Sequence, residues 1–229
     1  MKTRTYLGLL ICGLLISNCS QEDNNLISEG NYSIITASIE SAAKTRSTVT
    51  EGGEFAWAKG DKISVQQQTG GFATYVYGND SQFVMEGASP LGGVAYYPAN
   101  TNHTNSAFTL AAEYDLDNNT RNTNAPMIAS VSQNATDFSF RHLGGVLRFI
   151  FRSVPAEANK FVFSTNKAIS GSFDITTSNG AQVIVVDDTP TDENNTITIN
   201  FNAGQSTEMT FYVPMPIGTY NNMSVAFYN

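Results

Sequence analysis

The stretch Asn31 to Arg46, NYSIITASIESAAKTR, decides how the folded part of the chain begins. Its first half is rich in β-branched residues and alternates two sets of side chains, which is typical of a strand. The two faces carry Tyr32, Ile34, Thr36 and Ser38 on one side and Ser33, Ile35, Ala37 and Ile39 on the other. Both faces hold apolar groups, so we predict that this strand lies in the sheet of the domain that follows. Whether it is an ordinary first strand or a separable one stays open at this point.

The residues before this stretch have the features of an export signal. Two basic residues precede an apolar run at 6–16, which is too short to cross a bilayer and predicts a signal peptide over 1–18. The letters ISNC, ending at Cys19, resemble the lipobox of bacterial lipoproteins. There a diacylglycerol alkylates the cysteine sulfur, and several acyl chains anchor a protein stably where one chain does not. The alternative is a plain secretory signal with an incidental cysteine.

Residues 19–30 are polar and acidic, which predicts a flexible tether. Glu22 and Asp23 resemble the signal with which some Gram-negative anaerobes move lipoproteins to the outer surface. Cys12 lies inside the apolar run and leaves with the leader, so we expect no disulfide in the mature chain. The sequence therefore predicts an outer-membrane lipoprotein that faces the outside of the cell.

The net charge limits the classes of partner. The 229 residues include 12 basic and 20 acidic ones, for a formal charge of −8. Cleavage before Cys19 removes two basic residues and no acidic ones, which leaves 10 basic against 20 acidic residues, or −10. An acidic chain without a basic cluster is unsuited to nucleic acid or anionic lipid surfaces.

The rest of the chain reads as a succession of short strands. Turn signals recur about every ten residues, and no segment keeps a 3.6-residue apolar period over three turns, which indicates an all-β sandwich or barrel. A polar break at 132–136 predicts a boundary between an N-terminal β-sandwich at 31–132 and a C-terminal one at 133–229.

The most strand-like run is Phe138–Val154, FSFRHLGGVLRFIFRSV. We predict one long strand there with a bend at the glycine pair Gly144 and Gly145, because glycine inside a strand often marks a bend. The chain stops at Asn229 within another strand-like run. We therefore expect the second sandwich to be incomplete and the sequence to be a fragment.

Residues that could support catalysis or metal binding do not form a recognisable pattern. His103 and His142 are interpreted as a loop residue and a structural residue, and no cysteine and histidine spacing suits zinc. Asp115 and Asp117 could belong to a calcium loop, but the EF-hand pattern and its closing glutamate are missing. No nucleophile elbow or phosphate loop is present. We predict no enzyme, no cofactor and no metal.

Three aromatic residues leave a second function open. Trp57 and the pair Tyr96 and Tyr97 could stack against sugar rings, which would make the protein a surface lipoprotein that binds host or dietary glycans. The alternative for Trp57 is a plug in the core of a sandwich, which we favour.

An ordered set of motifs after Tyr32 resembles the fimbrillin-like surface lipoproteins, the subunits of type V pili. The motifs are TR followed by FAWAKGDKISV, then VAYYPAN, APMIAS, FSFRHLGGVLRFIF, ISGSFDI and FYVPMPIGTY. The resemblance implies two tandem transthyretin-like β-sandwich domains, a lipid anchor, and a role in fimbria assembly and adhesion to a host or bacterial surface receptor.

The resemblance also implies roles for particular residues. Cys19 matches the lipidation site, and Arg46 matches the position after which an arginine-specific protease cuts. The strand that is then lost corresponds to the one containing Tyr32, Ile34, Ile35 and Ile39. Loss of a strand leaves an apolar groove with unpaired backbone groups, which the strand of another pilus subunit can fill by β-augmentation.

Two questions stay open within that resemblance. Stalk subunits carry extra C-terminal strands, and this chain ends before such a segment, so it could be an anchor, a tip or a truncated stalk subunit. Lys44 and Arg46 both lie in the loop, so the protease is not determined, and the loop could stay uncut.

Overall fold

The computed structural model describes residues 32–40, 48–49, 55–78, 82–87, 91–99, 107–116, 124–178, 180–185, 194–204 and 208–229. These residues form β-strands, turns and loops, and none of them lies in a helix that could span a bilayer. The strands in chain order are β1 Tyr32–Ile39, β2 Thr48–Val49, β3 Phe55–Ala56, β4 Lys62–Gln67, β5 Phe72–Tyr77, β6 Gln82–Glu86, β7 Leu91–Tyr97, β8 Ala107–Leu110, β9 Glu113–Leu116, β10 Met127–Ser130, β11 Asp137–His142, β12 Gly145–Phe151, β13 Lys160–Ser164, β14 Gly171–Ser178, β15 Ala181–Ile184, β16 Thr196–Phe201, β17 Met209–Met215 and β18 Ser224–Tyr228.

Seven strands close into a barrel in the order β1-β11-β10-β7-β4-β5-β6. Alternate side chains of each strand point into the barrel, as the two-residue period of a strand requires. The interior is apolar and includes Ile35, Ala37, Ile63, Val65, Tyr75, Phe83, Ala95, Tyr97, Met127, Phe138 and Phe140. These side chains form the first hydrophobic core.

A second core lies between two sheets of unequal width. One sheet contains β12 and β17, and the other has the order β18-β13-β16-β9. Phenylalanines from both sheets meet between them, with Phe149 to Phe161 at 5.2 Å and Phe211 to Phe161 at 5.5 Å between ring centroids. This arrangement is a β-sandwich.

A third sheet, in the order β15-β14-β8, packs against the outside of the barrel. Phe108 of β8 and Phe173 of β14 lie in one cluster with Tyr96 of β7 and Ile128 of β10. The Arg141 Nη1 group at the end of β11 donates a hydrogen bond to the Gln182 carbonyl oxygen of β15 at 2.5 Å. The barrel and the third sheet are therefore joined by apolar packing and by this hydrogen bond.

The all-β class predicted from the sequence is confirmed, and so is the alternation of β1. Strand pairing crosses the predicted boundary at 132–136, because β11 follows it and belongs to the barrel, while β8 and β9 precede it and pair with β14 and β16. The number of domains and their bounds stay predictions.

The single long strand predicted over Phe138–Val154 is wrong. The run is divided into β11, which belongs to the barrel, and β12, which belongs to the sandwich. Gly144 lies at the break, where a Cβ atom would be 2.3 Å from the Met215 carbonyl oxygen. Glycine is needed there because the backbone of another strand passes too close for any side chain.

Candidate functional site

The candidate site is the place of β1 in the barrel, which we call the β1 seat and define by β1, β6 and β11. β1 pairs antiparallel with β6 from Tyr32 to Thr36, and parallel with β11 from Thr36 to Ile39. Thr36 is the one β1 residue in both of these ladders. Each half of β1 thus has a strand neighbour along one edge, and without β1 the barrel would open into a six-stranded sheet.

The inward face of β1 is anchored in the barrel core. Ile35 is 1% exposed and Ala37 is 2% exposed, whereas Ile34 on the outward face is 50% exposed. The Tyr75 hydroxyl of β5, the strand beyond β6, donates a hydrogen bond to the Ser33 Oγ atom at 3.0 Å. Full burial of an isoleucine contributes roughly 1.5–3 kcal/mol, so Ile35 is a main noncovalent anchor of this strand.

Trp57 fills the part of the β1 seat that β6 does not reach. Its indole Nε1–H donates a hydrogen bond to the Ala37 carbonyl oxygen at 2.9 Å. Its ring packs edge-on against Phe83, Tyr97 and Phe140, with centroid distances of 4.9, 5.4 and 5.3 Å. The side chain therefore satisfies a β1 backbone group and fills the core, which confirms the prediction of a core plug.

The sugar-stacking platform that the sequence left open is wrong. Tyr96 and Tyr97 are 3% and 1% exposed, and as neighbours on β7 they point to opposite faces of the barrel wall. Neither tyrosine ring offers a free face to a sugar, and the half-buried Trp57 ring packs against Phe83, Tyr97 and Phe140.

The seam between β1 and β11 is the side of the seat where the two strands pair in parallel. Backbone hydrogen bonds bracket it, from Thr36 N–H to the Thr136 carbonyl at 2.8 Å and from Glu40 N–H to the Phe140 carbonyl at 2.7 Å. The Thr36 hydroxyl also donates to the Asp137 carboxylate. A groove of about 210 Å³ runs along the outside of this seam. Parallel pairing is slightly less stable per residue than antiparallel pairing, so we expect this seam to open first.

The last residue of β1 reaches beyond the barrel. Ile39 packs against the barrel core and also against Ala125, whose other neighbours are Val146 of β12 and Tyr212 of β17. Ala125 therefore links the C-terminal end of β1 to the outer face of the narrow sheet of the sandwich.

Several residues singled out in the sequence lie outside the described residues. They are Cys19, Arg46, His103 and Asp117, together with the predicted leader at 1–18 and tether at 19–30. Lipidation at Cys19 and cleavage after Arg46 stay predictions.

The other candidates for chemistry have structural surroundings. Asp115 and Glu113 lie on β9, and both accept hydrogen bonds from the Asn200 Nδ2 group, at 3.1 and 2.7 Å. His142 is half-buried at the end of β11. Burial raises the pKa of the Tyr114 phenol, so it stays protonated at neutral pH. Within the described ranges, no group of three His, Cys, Asp or Glu side chains is placed to hold a metal ion.

Sequence reasoning did not find the two features that distinguish the β1 seat. The Trp57 hydrogen bond joins residues 20 positions apart, and the staggered pairing of β1 joins β6 and β11, which are far apart in the chain. The sequence signal for the first was a single tryptophan just before a hairpin turn. No local pattern indicates the second.

Comparisons with known proteins support the fold. No protein-family model matches the chain, and no curated protein matches it. Among solved structures, the chain is similar to a Bacteroides ovatus ATCC 8483 protein described as a "putative cell adhesion protein". The two chains are 14% identical, the likeness covers 87% of each, and the TM-score is 0.51. At this level of identity the comparison shows that the chains share a fold.

Proposed function

We propose that this protein is a non-enzymatic structural and adhesive subunit of a bacterial surface fimbria, assembled by exchange of β1 for the strand of another subunit. The observation that carries the proposal is the staggered pairing of β1, which closes the barrel but pairs along one edge in each half. A strand held in this way can leave without any other strand losing both of its neighbours.

An adhesive role at the cell surface is supported by two independent lines. A solved structure that shares the fold is described as a "putative cell adhesion protein", and the motifs after Tyr32 resemble fimbrillin-like lipoproteins. The proposed lipid on Cys19 would hold the protein in the outer membrane, and its acidic net charge favours neither nucleic acid nor an anionic membrane as a partner.

The physical basis of exchange is that an empty β1 seat is unfavourable. Departure of β1 would expose the core around Ile35 and Ala37 and leave the facing edges of β6 and β11 without partners. Unsatisfied backbone groups and exposed apolar surface both raise the free energy. An incoming strand with a similar inward face restores both kinds of contact, so assembly needs no external energy source.

Cleavage after Arg46 would make the exchange possible. While the chain is intact, β1 is tethered to the barrel at its C-terminal end, and any incoming strand competes with a covalently linked one. A cut leaves β1 held by noncovalent contacts, so a competing strand at high local concentration can replace it. The proposed glycan-binding alternative has lost the aromatic platform on which it depended.

A labelled β1 peptide tests the proposal. The protein is treated with an arginine-specific protease, and a fluorescent peptide of residues 31–40 is added to the cut and uncut forms. We expect stable incorporation of the peptide into the cut form, with release of the original N-terminal fragment, measured by gel filtration and mass spectrometry.

The matched control is Arg46→Ala, which keeps the β1 seat but removes the proposed cleavage site. It should incorporate no peptide after the same treatment. Equal incorporation into cut and uncut protein, or retention of the original fragment with no peptide uptake, contradicts exchange at this seat.

A further inference from the structure

The walls of the β1 seat differ from one inward position of β1 to the next. The first three inward side chains of β1 are a serine, an isoleucine and an alanine, at Ser33, Ile35 and Ala37. Side chains in a strand alternate between its faces, so these three lie two residues apart on one face. We call them the first, second and third positions of the seat, and each one contacts a different group of the barrel.

The first position supplies a hydrogen-bond acceptor to a buried hydroxyl. Tyr75 is 0% exposed, and its hydroxyl donates to the Ser33 Oγ atom at 3.0 Å. Ser33 is half-buried, and its ladder partner on β6 is Met85, which packs against the barrel core. A hydroxyl that is buried without a partner raises the free energy, because it has lost water and gained no other bond. A strand with an aliphatic residue here leaves the Tyr75 hydroxyl without this acceptor.

The second position holds a large aliphatic side chain. Ile35 is 1% exposed, and its ladder partner on β6 is Phe83, which is 0% exposed. A smaller residue would leave a cavity beside the phenylalanine ring, and such cavities lower stability. This position therefore selects for size, in the opposite sense to the next one.

The third position is enclosed by aromatic rings. Ala37 is 2% exposed, and its ladder partner on β11 is Phe138, which is also 2% exposed. Along the opposite edge of β1, the Trp57 indole donates its hydrogen bond to the Ala37 carbonyl oxygen at 2.9 Å and packs against Phe140. Added carbon atoms in a filled core force side chains and backbone to shift. A larger residue at this position would therefore displace one of the rings.

We propose, as an extension of the exchange proposed above for β1, that the seat admits strands with an acceptor, a large aliphatic residue and a small residue at its three positions. The partner is a subunit whose exchanging strand has serine, threonine or another acceptor in the first position and glycine or alanine in the third. Sites built to hydrogen-bond a hydroxyl reject analogues that lack it. The outward residues Ile34 and Ser38 are exposed, so the seat imposes little selection there.

This selection rejects one strand of the chain itself. In β18, when Val225 takes the second position, Phe227 falls in the third. When the strand is moved by one residue, Tyr228 falls in the third position instead. Either ring is far larger than the methyl group of an alanine. We therefore expect that copies of this chain do not join by placing β18 in the β1 seat.

Competition between peptides on the cut protein measures the selection. A fluorescent peptide of residues 31–40 is bound, and unlabelled peptides displace it, as measured by fluorescence anisotropy. The Ser33→Val peptide should bind at least about tenfold more weakly than Ser33→Thr, which has nearly the same shape and keeps the acceptor. The Ala37→Leu peptide should bind at least about tenfold more weakly than the parent peptide. Ser38→Leu, a similar enlargement on the exposed face, should bind as the parent does, and a peptide of residues 222–229 should not compete.

The same four substitutions in the uncut chain test the selection without any exchange. Urea denaturation gives the equilibrium constant for unfolding of each variant, and circular dichroism checks that each one is folded. We expect this constant to be about tenfold larger for Ser33→Val than for Ser33→Thr, since only the valine removes the acceptor. It should likewise be at least about tenfold larger for Ala37→Leu than for Ser38→Leu, since only the first adds atoms to the core.

The outcomes separate the selection from the exchange. Equal binding by the valine and threonine peptides, equal binding by the Ala37→Leu and Ser38→Leu peptides, or displacement by residues 222–229 overturns the selection. If the parent peptide does not enter the cut protein, exchange at the β1 seat is wrong, and the uncut variants then decide the selection alone. Equal unfolding constants within either pair of uncut variants also overturn it.

Discussion

Replacement of Ile35 by alanine tests how strongly β1 is held in its seat. The Ile35 side chain is 1% exposed and lies in the barrel core with Phe83 and Phe138. Removal of three carbon atoms costs about 2.4 kcal/mol in transfer free energy at roughly 0.8 kcal/mol per methylene. The cavity left behind adds to this loss, and measured isoleucine-to-alanine changes in cores lie at about 2–5 kcal/mol.

The assay is urea denaturation of the parent protein and the variant, monitored by tryptophan fluorescence. Trp57 is the single tryptophan of the sequence, and it contacts β1 directly. We expect Ile35→Ala to lower the free energy of unfolding by about 3 kcal/mol. In the cut protein, a loss of about 2.8 kcal/mol in binding free energy raises the dissociation constant of β1 a hundredfold.

The neighbouring Ile34 supplies the matched control. Its side chain points outward and is 50% exposed, so Ile34→Ala should change the free energy of unfolding by less than about 1 kcal/mol. The reasoning is refuted if both variants lose the same amount of stability, or if Ile35→Ala loses less than the control.

Three further changes test other contacts of the fold. Trp57→Phe keeps a ring in the barrel but removes the hydrogen bond to the Ala37 carbonyl; we expect a loss of about 1–2 kcal/mol by urea denaturation followed by circular dichroism, and no change would show that this bond contributes nothing. Gly144→Ala places a Cβ atom 2.3 Å from the Met215 carbonyl oxygen. We therefore expect a melting temperature several degrees lower, which corresponds to a loss of about 1–3 kcal/mol in the free energy of unfolding. In Gly78→Ala the added Cβ atom meets no other atom within 4 Å, so its free energy of unfolding should lie within about 0.5 kcal/mol of the parent value. Equal losses of stability in both glycine variants would contradict the close approach at Gly144.

The β1 strand was predictable because its burial follows from local alternation. Side chains in a strand alternate between faces, so the pattern of Ile35 and Ala37 against Ile34 and Thr36 indicates two faces without any knowledge of the neighbours. The structure then shows which face is inward. The prediction needed no tertiary information, and this explains its success.

The division of Phe138–Val154 into two strands was not predictable in the same way. Both parts have strand-like sequences. Their assignment to different sheets depends on the close approach of Gly144 to Met215, which lies 71 residues (215 − 144) further along the chain. The glycine pair indicated a change in direction, but a bend and a break have the same local signature.

The exposure of Val225, which is 44%, lay beyond sequence reasoning for a related reason. Val225 belongs to an alternating run like any other in the chain, and its exposure follows from the number of strands in the opposite sheet. Sheet width depends on which strands pair over long sequence distances. A pattern of side chains along one strand therefore contains no information about it.

Native-state hydrogen exchange of the uncut protein, measured by mass spectrometry, tests the central claim most directly. If β1 is a separable closing strand, its amides at Ile34–Ile39 will exchange through a local opening, at a lower free energy than those of β4 and β7 inside the same barrel. If the amides of β1 exchange only when β4 and β7 also exchange, β1 is an inseparable part of the barrel and the account is wrong.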